Sequence, residues 1–263
     1  MQISRFRRFA VLCLGLVAAA CAPPGPAPQP RPVNCCEVPW GYEAPENWAS
    51  LSPCYSECGT GGEQSPIDIF NPKQQTLPAV DFSSYGKVPG LTSINDGHTI
   101  KIEIPAGAAS LRLDGMAYEL KQFHFHTPSE HKIRGNERPI EMHFVNVSSG
   151  GRVVAIGVFI KNGTTNPELA KIWQDLPKKK GDVGKIGEIN LARLLPSGRT
   201  SFRYAGSLTI PPCGQGYQWI VYHDAIELAT TDIEELQKIF PGGNRREVKP
   251  LNGRVVVTDV ARP

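Results

Sequence analysis

Four of the chain's six histidines fall within residues 122–145 (QFHFHTPSEHKIRGNERPIEMHFV), and this clustering constrains the chain more than any other feature. In an extended strand successive side chains point to opposite faces, so His124 and His126 share one face while Phe123 and Phe125 share the other. After a loop containing Arg134, Gly135, Asn136 and Pro139, Glu141 and His143 repeat the pattern, with Phe144 opposite and Val145 back on the histidine face. Two strands so joined are most simply antiparallel neighbours. His124, His126 and His143 would then converge on one point, with imidazoles in a cavity and phenyl rings in a core. Three neutral imidazoles with nothing soft nearby suit a tetrahedral Zn2+ whose fourth position is open to water, as in a catalytic rather than a structural site. A single His-x-His on a strand is more often a half-buried surface pair. The third histidine, preceded at minus two by a carboxylate, favours the metal.

The same segment, QFHFHTPSEH followed by IEMHFV, resembles the zinc-binding segment of the alpha class of carbonic anhydrases. Further motifs follow in that family's order: WGYEAPENW at 40–48, CGTGGEQSPIDI at 58–69, INDGH at 94–98, GVFIKNG at 157–163, GSLTIPPC at 206–213, QWIV at 218–221 and NRREVKPLNGR at 244–254. Together they cover essentially everything after residue 38, and an ordered set is far more specific than any one motif.

The chain opens with Arg5, Arg7 and Arg8, an apolar run over 9–20 and then small residues, which reads as a secretory signal too short to span a bilayer comfortably. Cys21 after three alanines resembles a bacterial lipoprotein cleavage site; ordinary cleavage nearby, leaving a plain thiol, is the alternative. The following proline-rich stretch reads as a solvated tether. The expected organisation is therefore a signal at 1–20, a tether at 21–34 and one catalytic domain at 35–263, exported to the periplasm or cell surface and anchored to a membrane if Cys21 is lipidated.

About 225 residues suffice for one large core, and no repeat or second linker divides them. The formal charge of +3 is mild and its basic residues form no stripe, so no nucleic-acid partner is expected. Runs such as IKIEI, VVAIGVFI, QWIVYHDAIEL and GRVVVTDV are strand-like. Helical pattern is scarce, the best cases being 166–176 and 231–240, where Thr231 is placed to cap. The expected fold class is mainly β (α+β), a single domain on a large, mostly antiparallel sheet with short peripheral helices; the resemblance implies that this central sheet is twisted.

Seven cysteines in an exported chain point to disulfides. The resemblance implies a bridge from Cys58 to Cys213, clamping the loop that carries Leu208 and Thr209. Either Cys35 or Cys36 could reach Cys54, leaving one thiol unassigned.

The resemblance implies reversible hydration of carbon dioxide to bicarbonate and a proton. Zinc on three neutral histidines lowers the pKa of its water to about 7, a magnitude known from this very family. Gln122 and Glu141 match the residues that hold the first and third histidines. Thr209 and Glu130 match the pair in which a hydroxyl donates to a carboxylate and can then only accept from the attacking oxygen. Val145, Ala155, Leu208 and Trp219 match the hydrocarbon lining for an apolar substrate, and His98 matches the proton shuttle. His131 and His223 read as structural or exposed.

Departures fall where substrate and product sit: Ile210 follows Thr209 in place of a polar residue, Tyr217 stands where a small aliphatic is usual, Ala155 replaces valine, and Glu247 and Lys249 replace Pro and Gln. Bacterial members of the family are often dimers, which makes a homodimer the expectation. Two rivals differ in class. A cupin would use His124, His126 and Glu130 with a later histidine, but Pro128 breaks the strand and no Pro-x-Gly-x2-His precedes His143. A non-enzymatic zinc- or carbohydrate-binding lipoprotein on the same fold would keep all three histidines, and only turnover separates it.

Overall fold

Eight strands form the spine of one sheet: β1 (Lys87–Asn95), β2 (Ile100–Glu103), β3 (Met116–His126), β4 (Ile140–Val147), β5 (Val153–Asn162), β6 (Val183–Asn190), β7 (Ser201–Ser207) and β8 (Gln215–Tyr222). The structure, a computed structural model, describes residues 38–259. Spatial order along the spine is β6-β1-β2-β3-β4-β5-β8-β7, and every neighbouring pair is antiparallel except β5 and β8. Among the described residues four short strands complete a 12-stranded mixed sheet: Ser110–Leu113 on β3, Ile226–Leu228 on β5, Val257–Thr258 on β7, and Lys73–Gln74 beyond it. The mainly β expectation is met, and the parallel β5–β8 pairing is the feature that short-range alternation does not reveal.

Alternation explains the two faces. Phe123, Phe125, Met142, Phe144, Ile156, Val158 and Ile220 all point to one side and are fully buried in the main core. Each such large apolar side chain stabilises the fold by roughly 1.5–3 kcal/mol relative to exposure. On β3 the alternation changes parity, because Tyr118 and Leu120 belong to this core and so do Phe123 and Phe125. A bulge between Leu120 and Gln122 causes the change. One extra residue there turns Gln122, His124 and His126 to the opposite face.

Two expectations are corrected. The run QWIVYHDAIEL is interrupted after Tyr222 and resumes at Ile226–Leu228, both pieces pairing with β5. The later helix is Thr230–Ile239 with Ala229 at its N-cap, so Thr231 lies inside the helix and caps nothing. The earlier helix, Pro167–Trp173, is capped by Asn166, whose side chain accepts from the Glu168 and Leu169 amides.

Cys58, on the helical turn Glu57–Thr60, is disulfide-bonded to Cys213, with Cα atoms 5.0 Å apart and a sequence separation of 155. Cys54 is also disulfide-bonded. Cys21, Cys35 and Cys36 lie outside the described residues.

Candidate metal centre

Register across the sheet builds the site in rows. His124 of β3 faces His143 of β4, which faces Gly157 of β5, then Val221 of β8. Two residues along, Gln122, Val145, Ala155 and Trp219 form a second row on the same face. In the other direction His126 pairs with Glu141, and Glu141 with Phe159.

The ring nitrogens of His124, His126 and His143 come within 4.8 Å of one another, and the last two residues are buried. Each ring is oriented by an acceptor on its other nitrogen. Gln122 Oε1 lies 2.8 Å from His124 Nδ1, the Asn244 backbone oxygen 2.6 Å from His126 Nδ1, and Glu141 Oε1 2.8 Å from His143 Nε2. These three bonds leave Nε2, Nε2 and Nδ1 bare. His126 Nε2 is buried with no hydrogen-bond partner, which is costly for a polar atom unless something else binds there. Three nitrogen donors fixed in tautomer, with a buried one unpaired, fit a zinc ion.

Electrostatics favour the neutral, ligating form at two of the three histidines. Burial, reinforced by the neighbouring imidazoles, holds His124 well below the ordinary histidine range, and burial also lowers His126. Burial acts on His143 in the same sense but is outweighed by the Glu141 carboxylate, its hydrogen bond and Glu130, which raise it. Burial pushes Glu141 up, and the His131 and His143 imidazoles overcome this to hold it well below the usual carboxylate range.

His131 is fully buried and structural. Its Nδ1 meets Glu141 Oε1 at 2.7 Å, its amide donates to Oε2 at 2.8 Å, and its Nε2 meets the Tyr204 hydroxyl at 2.6 Å. With Oε1 already shared between two imidazoles, the grouping of His131, Glu141 and His143 is a hydrogen-bond network and not a second metal site. His223 is half exposed beside Asp224.

Glu130 is buried, its Oε1 accepting from the Arg246 amide at 2.9 Å while its Oε2 has no hydrogen-bond partner. Thr209 is buried, and Leu208 and Ile210 beside it are half-buried; the Thr209 hydroxyl makes no bond to Glu130 in this structure. Ala155 and Trp219 are buried in one apolar cluster, with Tyr217 packed against it. His98 stacks on Trp40, ring centroids 3.9 Å apart and planes 14° from parallel, and burial lowers its pKa.

Residues 43–260 match the model of the family described as eukaryotic-type carbonic anhydrase. The chain belongs to that family. It is 36% identical over 222 residues to a carbonic anhydrase of Neisseria gonorrhoeae, covering 83% of this chain and 87% of that one. It superposes on the alpha-carbonic anhydrase of Thermovibrio ammonificans, solved with the inhibitor sulfanilamide, with a TM-score of 0.79 and 40% identity, over 84% of this chain and 99% of that one. It is also 31% identical over 222 residues to dioscorin DB3S of Dioscorea polystachya, covering 81% and 82% of the two chains.

In this carbonic anhydrase two supporting groups carry no sequence signal for their role. Asn244 acts on His126 through a backbone carbonyl, which every residue possesses. Its side chain also donates to the carbonyls of His98 and Phe125, and its Oδ1 accepts from the Thr127 amide. Arg246 is fully buried and donates to Gln64 Oε1, the Ser65 carbonyl and the Cys58 carbonyl, each at 2.8 Å. The motif containing both was visible in the sequence; the contacts were not.

Proposed function

We infer that this site carries out the family's reaction, the reversible hydration of carbon dioxide to bicarbonate and a proton, with zinc held by His124, His126 and His143. The observation that carries the reading is the triad itself, with every ring oriented by a separate acceptor and the bare nitrogens turned together. Zinc bound there supplies a Lewis acid that makes water acidic enough to react at neutral pH, an effect best known from this family. Gln122, the Asn244 carbonyl and Glu141 fix the tautomer and orientation of the three imidazoles.

Thr209 has one proton to give. Donated to the unpartnered Glu130 Oε2, it leaves the hydroxyl able only to accept, so the attacking oxygen must turn its own hydrogen to Thr209 and a lone pair to the substrate. Val145, Ala155 and Trp219 present hydrocarbon along one row, with Leu208 and Tyr217 beside it, and an apolar molecule gains more there than from hydrogen bonds. Ile210 offers no hydroxyl to the charged product. His98, kept neutral near pH 7 by its lowered pKa, takes the released proton and passes it to buffer.

The Cys58–Cys213 bridge fits an oxidising compartment. With Cys21 and the proline-rich stretch, this supports an exported enzyme whose mature chain starts at an acylated Cys21. Detergent partitioning that is lost on Cys21→Ser tests this, and a soluble mature chain beginning elsewhere would contradict it.

Stopped-flow hydration by purified protein tests the function. Zinc-loaded protein should exceed the buffer rate, lose the excess to chelator and regain it with zinc. A zinc-loaded chain that leaves hydration at the buffer rate would be a binder on the same fold.

A further inference from the structure

Gly157 stands in the middle of β5, flanked by Ile156 and Val158 in a run of apolar residues. Glycine weakens a strand interior and commonly marks a place where another group approaches closely. Its backbone is not among the positive-φ glycines, so conformation does not require it. Space does: a Cβ built on Gly157 would lie 2.8 Å from Glu141 Oε1, with Val221 Cγ2 at 3.4 Å and Cγ1 at 3.6 Å behind it. A free carboxylate would swing aside, but this one is tied. Oε1 meets His131 Nδ1 at 2.7 Å and His143 Nε2 at 2.8 Å, and Oε2 accepts from the His131 amide at 2.8 Å. Glu141 and His131 are both fully buried. A methyl group at this position must therefore displace the acceptor that aims His143, or push β4 and β5 apart at the residue opposite it.

We propose that Gly157 is a positioning residue for the metal centre, its missing side chain being the space in which the Glu141 carboxylate orients His143. The proposal rests on His143 being a zinc ligand. It is tested by the rate at which zinc passes from the protein to an excess of a coloured chelator, with the visible spectrum of the cobalt-substituted protein as a second readout. Disturbing a group that orients a ligand typically costs ten- to a hundredfold in metal affinity. Gly157→Ala should release zinc roughly ten- to a hundredfold faster than the parent and shift the cobalt bands. Glu141→Asp shortens the carboxylate by one methylene and withdraws it from the clash, so in that background Gly157→Ala should change the release rate less than about threefold.

Parent-like release by Gly157→Ala, or the same factor in both backgrounds, would overturn the inference. Should Gly157→Ala alone fail to fold, recovery of folded, zinc-binding protein in the double variant supports it. Failure of the double variant while Glu141→Asp folds contradicts it. His143→Ala is measured alongside: its loss of zinc secures the underlying reading, so a negative result at Gly157 then falls on the inference alone, whereas stoichiometric zinc in His143→Ala would overturn both.

Discussion

Each imidazole of the triad is engaged on both sides, one nitrogen to a protein acceptor and the other to the cavity, and this double commitment turns three histidines into a site. The histidines and two of their acceptors were legible because strand parity links residues two apart: Gln122 with His124, and Glu141 with His143. The third acceptor was not, since a backbone carbonyl 118 residues away has no residue type to betray it. Nor could parity show that His131 buttresses Glu141, because His131 lies in the loop after cis-Pro128 and reaches the carboxylate through tertiary packing. The same parity now sharpens one departure from the family. Tyr217 and Trp219 share a face of β8, Trp219 pairs with Ala155, and all three belong to one apolar cluster. From this shared face and cluster, Tyr217 is expected to fill space that a larger residue at 155 would need. Ala155→Val should therefore destabilise the parent by about 1–3 kcal/mol, the usual cost of overpacking, and lower kcat/KM, yet be nearly neutral in a Tyr217→Val background. Denaturant unfolding of the four proteins measures the coupling, and additive effects would refute it.

Among the elements, the bulge in β3 decides which residues line the cavity of the triad. Were alternation unbroken through Lys121, the strand that buries Tyr118 and Leu120 in the main core would turn His124 and His126 inward as well. Long strands with strong alternation could be read directly, whereas the break after Tyr222 and the brevity of Val257–Thr258 could not, because both arise from what the neighbouring chain does. The loop carrying Leu208 and Thr209 is held by a covalent tie and by side chains. Cys213 is bridged to Cys58, and its carbonyl accepts from Gln64 Nε2 at 2.9 Å. Closing a loop with a sequence separation of 155 residues stabilises the fold by about 5 kcal/mol in the chain-entropy model, an upper figure for real bridges. Reductant should accordingly lower the melting temperature at concentrations that leave zinc bound, and Cys213→Ser should do the same. An unchanged melting temperature after verified reduction of this bridge would show that packing alone holds the loop.

At the scale of the whole molecule, metal-free protein should be acid-labile. His124, His126 and His98 have pKa values below the ordinary 6.5, so the unfolded chain binds more protons, and the stability these groups contribute above pH 6.5 is lost as pH falls. Glu141, held well below 4.5, acts in the same direction further into acid. His143 is raised and has the opposite sign: its contribution is full below pH 6.5 and fades as pH rises through its folded value. Three depressed histidines and one depressed carboxylate outnumber it. The melting temperature of zinc-free protein should fall steadily from pH 7.5 to pH 4.5, and one that held constant or rose toward acid would contradict the balance. The central claim, that the described fold exists to present three oriented imidazoles to one zinc ion, is most directly tested by anomalous diffraction at the zinc edge from crystals of the purified protein. The account predicts one strong peak per chain, bonded to His124 Nε2, His126 Nε2 and His143 Nδ1. A peak centred on His131 and Glu141, or a metal bound through other nitrogens of the triad, would contradict it.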